Sequence, residues 1–313
     1  MLVAIAMVIG SASCIKDDLS DCFGYMENNV RLTVRLDVDA TARNAVSESY
    51  RIDSTHVYVF DATGRFVTSA AGGVYDPTKA YEFFFTLEGG DYHFVVWSNP
   101  GEIYKTNHAF EQSEAQELTM DDLIYYMDVS VADCLTKDII PDLLYGTQLQ
   151  EIISNQNNLV TVDMIPDTYR VNIEVTGLPQ IGDDFEFTIT DNNSHYKFDN
   201  SIIPDMDDFT YMRVDNQSVS IDDPDERQLN VSFKVLRLID GRSPGFLFTN
   251  RTDGDILYHD NLIETIRRAY EQSGQTLDFD KTHTFDIKLT FNIDMGVSVS
   301  VNGWEYTQQS NEL

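Results

Sequence analysis

Strict alternation of apolar and polar residues is the feature that most constrains what this chain can fold into. In the segment "VRLTVRLDV" (30–38), every second residue is valine or leucine, and arginine, threonine and aspartate stand between them. Successive side chains of a β-strand point to opposite faces of a sheet. The segment therefore predicts a strand with one buried face and one solvated face.

The same alternation recurs along most of the chain. Two hairpins are predicted, one around the turn "ATG" (62–64) and one around Gly89-Gly90. Further strands are predicted at 158–164, 168–178, 185–191, 195–200, 209–214, 218–221, 227–238, 282–293 and 297–304. Many short strands separated by turns favour β-sandwiches.

One segment has helical rather than alternating spacing of its apolar residues. "DNLIETIRRAYEQSG" (260–274) predicts a helix that Asp260 or Asn261 caps at its start and Gly274 at its end. A weaker helix is predicted over Glu114–Met127. The predicted class is mainly β with one or two short helices.

The amino-terminal run Leu2–Ser13 is uncharged and mostly apolar. As a helix it spans roughly 18 Å, too short for a hydrocarbon core of about 30 Å but typical of an export signal. The small residues before Cys14 match the bacterial lipobox arrangement. The basic residues that usually begin a signal peptide are absent after Met1. We predict a lipoprotein signal peptide at 1–13 and lipidation of Cys14. The alternative is an ordinary secretory signal with a chance cysteine.

The charge of the chain excludes one class of partner. Its 52 acidic and 21 basic residues give a net charge of −31. Such a charge repels nucleic acid and anionic lipid surfaces, and it suits a solvated extracellular surface.

The length of 313 residues favours two domains. Pro166 interrupts a predicted strand in "MIPDT" (164–168), and a new alternating strand begins just after it. We predict an amino-terminal tether at 14–24, an amino-terminal β-sandwich at 25–165 and a carboxy-terminal β-sandwich at 166–313.

Two cysteines remain if Cys14 carries lipid. Cys22 and Cys134 could form a disulfide, because an exported chain lies where disulfides persist. Two separate buried thiols are the other possibility.

The residues give little sign of catalysis. The six histidines are scattered, and no GxSxG, HExxH, P-loop or dinucleotide-binding motif is present. A chain this acidic supplies carboxylate pairs, so a hydrolase with such a pair in a cleft stays an alternative. Acidic clusters at 203–209, 221–226, 252–255 and 278–280 do not match the EF-hand loop. They are predicted to be solvated loops, with a structural cation as the alternative. We expect no catalytic residue, no metal and no cofactor.

Several segments together resemble a known family. They are "CIKDDLSDC" (14–22), "VYVFDATGRFV" (57–67), "LEGGDYHFVVWSN" (87–99), "LLYG" (143–146), "TYRVNIEVTGLP" (168–179), "LDFDKTHTFDIKLTF" (277–291) and "VSVSVNGWEY" (297–306). In this order they resemble the fimbrial anchor lipoprotein family of Bacteroides-type bacteria. The resemblance implies a non-catalytic cell-surface lipoprotein of two tandem transthyretin-like β-sandwiches, which anchors a fimbria (pilus) at its base to the outer membrane.

The resemblance also implies roles for particular residues. Cys14 would carry the lipid, and Lys16, Asp17 and Asp18 would direct export to the cell surface. The expected partners are fimbrial stalk subunits, bound by strand addition. The candidate contact strand carries Val297, Val299, Val301 and Trp304. The alternative is that this strand simply completes the second sandwich of its own chain.

A different class of function shares many of these features. A surface glycan-binding lipoprotein of a nutrient-uptake system would also have the lipobox, the acidic charge and the sandwiches. Trp97, Trp304 and several tyrosines would then form a sugar platform, although a core role is expected for tryptophans in alternating strands.

Overall fold

The computed structural model describes residues 28–36, 50–101, 103–108, 110, 117–129, 140–179, 184–204, 206–215, 226–292 and 296–308. The first strands are β1 Val30–Leu36, β2 Thr55–Asp61, β3 Phe66–Gly72, β4 Tyr81–Phe85, β5 Gly90–Ser98, β6 Tyr104–Thr106, β7 Ile124–Met127, β8 Leu144–Ile152 and β9 Asn158–Pro166. The later elements are β10 Thr168–Pro179, β11 Phe185–Asp191, β12 His195–Lys197, β13 Phe209–Asp215, β14 Glu226–Leu236, β15 Gly245–Asn250, β16 Ile256–Asn261, α1 Leu262–Ser273, β17 Thr284–Phe291, β18 Val297–Val301 and β19 Trp304–Gln308.

The first half of the chain forms a sandwich from one folded sheet. Its strand order is β3-β2-β5-β8-β9-β1-β4. The ladder between β8 and β9 joins only the base of their hairpin, at Leu144↔Pro166 and Tyr145↔Ile165. Side chains from β2, β5 and β8 share one core with those from β1, β4 and β9. The sheet therefore doubles over between β8 and β9 and buries the alternating apolar residues inside.

The second half packs two sheets against each other. One has the order β14-β10-β17-β18-β19 and the other β13-β11-β15-β16. Phe248 of β15 stacks on Phe187 at 4.4 Å between ring centroids and approaches Phe291 of β17 at 6.0 Å. The helix α1 lies against β16, β18 and β19. Each half also opens with a strand that pairs in parallel with a later one, β1 with β9 and β10 with β17.

A small third sheet crosses the predicted domain boundary. Its order is β12-β7-β6, so a strand of the second half pairs with a strand of the first. Near β12, Phe198 makes edge contacts with Tyr58 and Phe60 of β2, at 5.0 and 5.9 Å. Asp167 alone separates β9 from β10. The division at 165/166 stays a prediction, and the two halves share buried surface.

The structure confirms the mainly β class and the strong helix, while the transthyretin-like topology stays a prediction. The Asn261 side chain accepts hydrogen bonds from the amides of Ile263 and Glu264, and Gly274 ends α1 with φ 69°.

The weaker helix is wrong in the described part of Glu114–Met127. A 3₁₀ turn at Met120–Asp122 precedes the strand β7. Leu123, Tyr125 and Met127 are buried at every second position, which is strand periodicity.

Candidate functional site

The residues predicted for lipid attachment and export lie outside the described residues. They are Cys14, Lys16, Asp17 and Asp18, and the cysteines Cys22 and Cys134 also fall there. Their roles stay predictions. Among the described residues, no helix is both long enough and apolar enough to cross a membrane.

The point where the chain enters the first sandwich is fixed by Asn29. Its amide donates to the carbonyl of Phe85 at 3.0 Å. Its side chain donates to the carbonyl of Leu87 at 2.7 Å and accepts from the amide of that residue at 2.8 Å. The amide of Asn158 donates to the carbonyl of Asn29 at 2.9 Å. The chain that leads back to Cys14 therefore leaves from the end of the sandwich farthest from Asp167.

The predicted contact strand is part of a hairpin at a sheet edge. β18 pairs with both β17 and β19, and β19 ends the five-stranded sheet. Val299 and Val301 are fully buried, and Val297 is half-buried. Trp304 lies on β19 rather than on the same strand, and 39% of it is exposed. Among the described residues, β19 has no strand partner on its outer side.

The turn between β18 and β19 divides the single strand predicted at 297–304. Asn302 and Gly303 both have positive φ, 50° and 82°. The Asn302 side chain accepts from the amide of Asp286 at 2.7 Å and donates to the hydroxyl of Tyr270 at 3.0 Å. Asn-Gly flanked by alternating apolar and polar residues is a strong hairpin signal, so this turn could have been predicted from the sequence.

Buried charges join the two halves at the opposite end of the first sandwich. Lys234 Nζ lies 2.5 Å from Asp142 Oδ1, and Arg237 lies 3.7 Å from Asp167 Oδ1. The Asn200 side chain also donates to Asp167, at 3.2 Å. Burial raises the pKa of Asp167 to about 6, an effect that Arg237 partly offsets. Sequence reasoning missed these pairs because their members lie far apart in the chain.

The described residues hold no group of three or more metal-ligating side chains. Burial lowers the pKa of His56 and His283, so both tend to be neutral near pH 7. In the loop 252–255, the Asp253 carboxylate accepts from Asn250 and from the amide of Asp255, at 3.1 and 3.0 Å. The Asp278 carboxylate also has a partner within its own turn, the Lys281 ammonium group at 2.9 Å. The acidic segment 221–225 lies outside the described residues.

One residue of the suggested sugar platform is in the core. Trp97 is 0% exposed and stacks on Tyr125 with ring centroids 4.5 Å apart and planes 4° apart. A side chain in this position cannot form a platform with Trp304 on the surface.

Comparison with known families shows which family the chain belongs to. The profile of a family described as fimbrillin-A associated anchor proteins Mfa1 and Mfa2 matches residues 19–310. The chain belongs to this family. The resemblance found in the sequence segments is thereby confirmed, and with it a role in a cell-surface fimbrium. The family is one of fimbrial anchor proteins rather than of enzymes.

Solved structures share the fold across the same span. A proposed adhesin of Bacteroides thetaiotaomicron has a TM-score of 0.72 at 18% identity, over 90% of this chain and 97% of its own. A proposed polysaccharide-binding protein of the same species has 0.69 at 20% identity, over 90% and 98%. The fimbrial anchor protein Mfa2 of Porphyromonas gingivalis has 0.65 at 18% identity, over 90% and 99%. At these identities the likeness establishes the fold alone. No curated protein matches the chain in sequence.

Proposed function

We propose that this chain is a lipid-anchored surface protein that fastens a fimbria to the outer membrane and supports its assembly, without catalysis. The observation that carries the proposal is the match to the anchor family over residues 19–310, which includes both halves of the chain. The amino-terminal lipid would hold the membrane, and the second half would hold the fibre.

The lipid attachment is argued from the first residues. Leu2–Ser13 would be removed on export, and the new first residue Cys14 would carry acyl chains. A single acyl chain binds a bilayer only marginally, whereas two or more anchor a protein stably. Lys16, Asp17 and Asp18 would keep the segment beside the lipid in water and direct the protein to the outer leaflet.

Metabolic labelling with an alkyne analogue of palmitate tests the attachment. The chain should be labelled in its native bacterium, and Cys14→Ala should lose the label. Cys22→Ala is the matched control, because it removes a cysteine close by in the same segment and should leave labelling intact. An unlabelled wild-type chain in the membrane fraction would contradict the proposal.

For the fibre contact, we propose strand addition to the carboxy-terminal hairpin. The outer edge of β19 presents backbone donors and acceptors that a partner strand can pair with. Val299 and Val301 fasten β18 into the core, and Val297 flanks them, so that β19 is presented on a rigid base. Trp304 lies half-exposed on that edge strand and would pack against the incoming strand.

A photo-crosslinking residue at position 304 tests this contact. It should join the chain to a fimbrial stalk subunit, identified by mass spectrometry of the product. The matched control is position 214 on β13, another edge strand, where Val214 has a similar exposure of 37%. Crosslinking to the same subunit at 214 but not at 304 would place the contact on the four-stranded sheet and would contradict this proposal.

A further inference from the structure

Three apolar side chains are exposed at one end of the first sandwich. Leu159 is 73% exposed, Phe84 53% and Ile153 49%. Large apolar side chains left in water in one place mark a surface that contacts something else. We call these three residues the apolar end.

The strand register places Phe84 and Leu159 on one outer face, on either side of Arg31. Arg31 of β1 pairs with Phe84 on one side and with Leu159 on the other. Neighbouring strands are about 4.8 Å apart, which puts the two apolar residues on the same outer face with about 10 Å between their backbones. Ile153 lies at the tip of the next hairpin, where its amide donates to the Asn158 side chain at 2.9 Å.

The apolar end is also where the chain leads back towards Cys14. Asn29 binds the backbone of Phe85, the neighbour of Phe84, and Asn158 precedes Leu159. The opposite end of the same sandwich is occupied by the second half, through pairs such as Asp142–Lys234. Of the two ends, the apolar end is the one that an amino-terminal lipid would hold near a membrane.

We infer that the apolar end inserts shallowly into the interfacial region of the membrane to which Cys14 is attached. The inference rests on the proposed lipid attachment. A net charge of −31 disfavours attraction to anionic headgroups, so the contact proposed here comes from apolar surface. Attachment through the amino terminus makes this contact intramolecular, and a weak interaction then suffices.

The surrounding side chains limit how deep this contact reaches. Glu88, Asp91 and Glu151 are exposed near the same end and stay in water. Arg31, between the two apolar residues, is paired with Glu82 and can extend towards the headgroups. The result is a molecule that stands on its first sandwich, with the second half directed away from the membrane.

Quenching by brominated lipid tests the insertion. The chain from residue 14 to 313 is held on phosphatidylcholine vesicles by an amino-terminal hexahistidine tag and a nickel-chelating lipid. Tryptophan is introduced as Leu159→Trp or, as matched control, as Val74→Trp, each in a chain with Trp304→Phe, so that the fully buried Trp97 is the one other emitter. Val74 is 70% exposed but lies at the opposite end, where the amide of Tyr75 binds Ile52. A side chain that enters the interface by about 5–10 Å should be quenched by roughly twofold or more relative to the control.

A second variant shows what the contact depends on. Replacing Phe84 and Ile153 by serine beside Leu159→Trp should abolish the extra quenching, whereas raising the salt concentration should leave it unchanged. Because the tag replaces the lipid, this result does not depend on whether Cys14 is acylated, and the two proposals can fail separately. Equal quenching at positions 159 and 74 overturns the inference. Dimerisation of the free chain that the serine substitutions abolish, measured by light scattering, would assign the surface to a second copy and also overturn it.

Discussion

At the scale of single residues, the buried charges between the halves carry the most information. Asp167 is fully buried, and its carboxylate is held by Arg237 and Asn200. Burying a charge is costly unless it is paired and hydrogen-bonded, and here the pairing is loose at 3.7 Å. The position is therefore sensitive to protonation.

We predict a pH-dependent effect of Asp167→Asn. Burial raises the pKa of Asp167 from 3.8 to about 6, so the folded state retains this proton at higher pH than the unfolded chain. The favourable contribution is complete below pH 3.8 and is lost as the pH rises through 6. Asparagine does not titrate, so the free energy of unfolding of the variant relative to wild type should rise by roughly 1–3 kcal/mol between pH 4.5 and 7.5.

Urea unfolding at several pH values measures this difference. Asp163→Asn is a control for loss of an exposed ion pair, since Asp163 pairs with Arg35 at 2.8 Å in solvent, and it should cost about 1 kcal/mol or less. A difference between wild type and Asp167→Asn that does not change with pH would refute the account of this residue.

Gly177 is a second residue whose identity is dictated by its surroundings. It has φ 81°, and a Cβ there would lie 2.0 Å from the carbonyl oxygen of Phe291. Gly177→Ala should lower the free energy of unfolding by roughly 2–4 kcal/mol, from backbone strain and the clash together. Gly241 has φ 83° but open space around it. Gly241→Ala should cost about 1–2 kcal/mol in the same denaturation experiment, and equal costs for both would argue against the clash.

At the scale of elements, the sequence predicts what is local. Alternation located β1 and β5, and the caps of α1 located its ends, because side-chain period and capping act over a few residues. The strands β6 and β7 were missed, since three or four residues carry too little pattern. The longer strands β8, β15 and β16 were missed as well; in β8 the alternation is broken, because Leu149 is exposed while Gln148 and Gln150 are half-buried. The pairing of β1 with β9 in parallel could not be predicted, because alternation does not say which strands meet.

The candidate site shows the same limit. The resemblance identified the carboxy-terminal segment, but the Asn302-Gly303 turn shows that Val299 and Trp304 belong to different strands. The junction pairs were not predictable, because Asp142 and Lys234 become neighbours only when both halves are folded.

We predict that Asn302 holds the carboxy-terminal hairpin in place. Asn302→Ala removes the hydrogen bonds to Asp286 and Tyr270 and strains a position with φ 50°. Amide exchange in 297–308 should become faster, with a loss of roughly 1–3 kcal/mol of local stability. Asn155→Ala alters a similar backbone position, φ 59°, in an exposed loop, and should leave that exchange unchanged. If both variants exchange like wild type, the side chain does not secure the hairpin.

At the scale of the whole molecule, the halves are mechanically joined. A single buried cluster contains Trp97 and Tyr58 of the first half together with Tyr196 and Phe198 of the second. Force applied to one half would therefore be transmitted to the other through packed aromatic rings and the buried ion pairs, as the proposed anchoring role would require.

We predict that the two halves unfold together. In a Trp304→Phe chain, where emission comes from Trp97 alone, this emission and hydrogen exchange in β17 should report the same urea midpoint, because the shared core couples the halves. Phe198→Ala should lower the free energy of unfolding that each probe reports by roughly 3–5 kcal/mol, since the Phe198 ring packs on Tyr58 and Phe60. Two separated transitions in wild type would show that the halves are independent.

The central claim is that a lipid on Cys14 holds a fimbria to the cell through this chain. The most direct measurement compares how much fimbrial protein sediments with cells and how much is in the medium, for strains that carry wild type, Cys14→Ala or Cys22→Ala. The account predicts fibres released into the medium with Cys14→Ala alone. Fibres that stay on the cells with Cys14→Ala, at wild-type amounts and with the variant chain stably made, would contradict it.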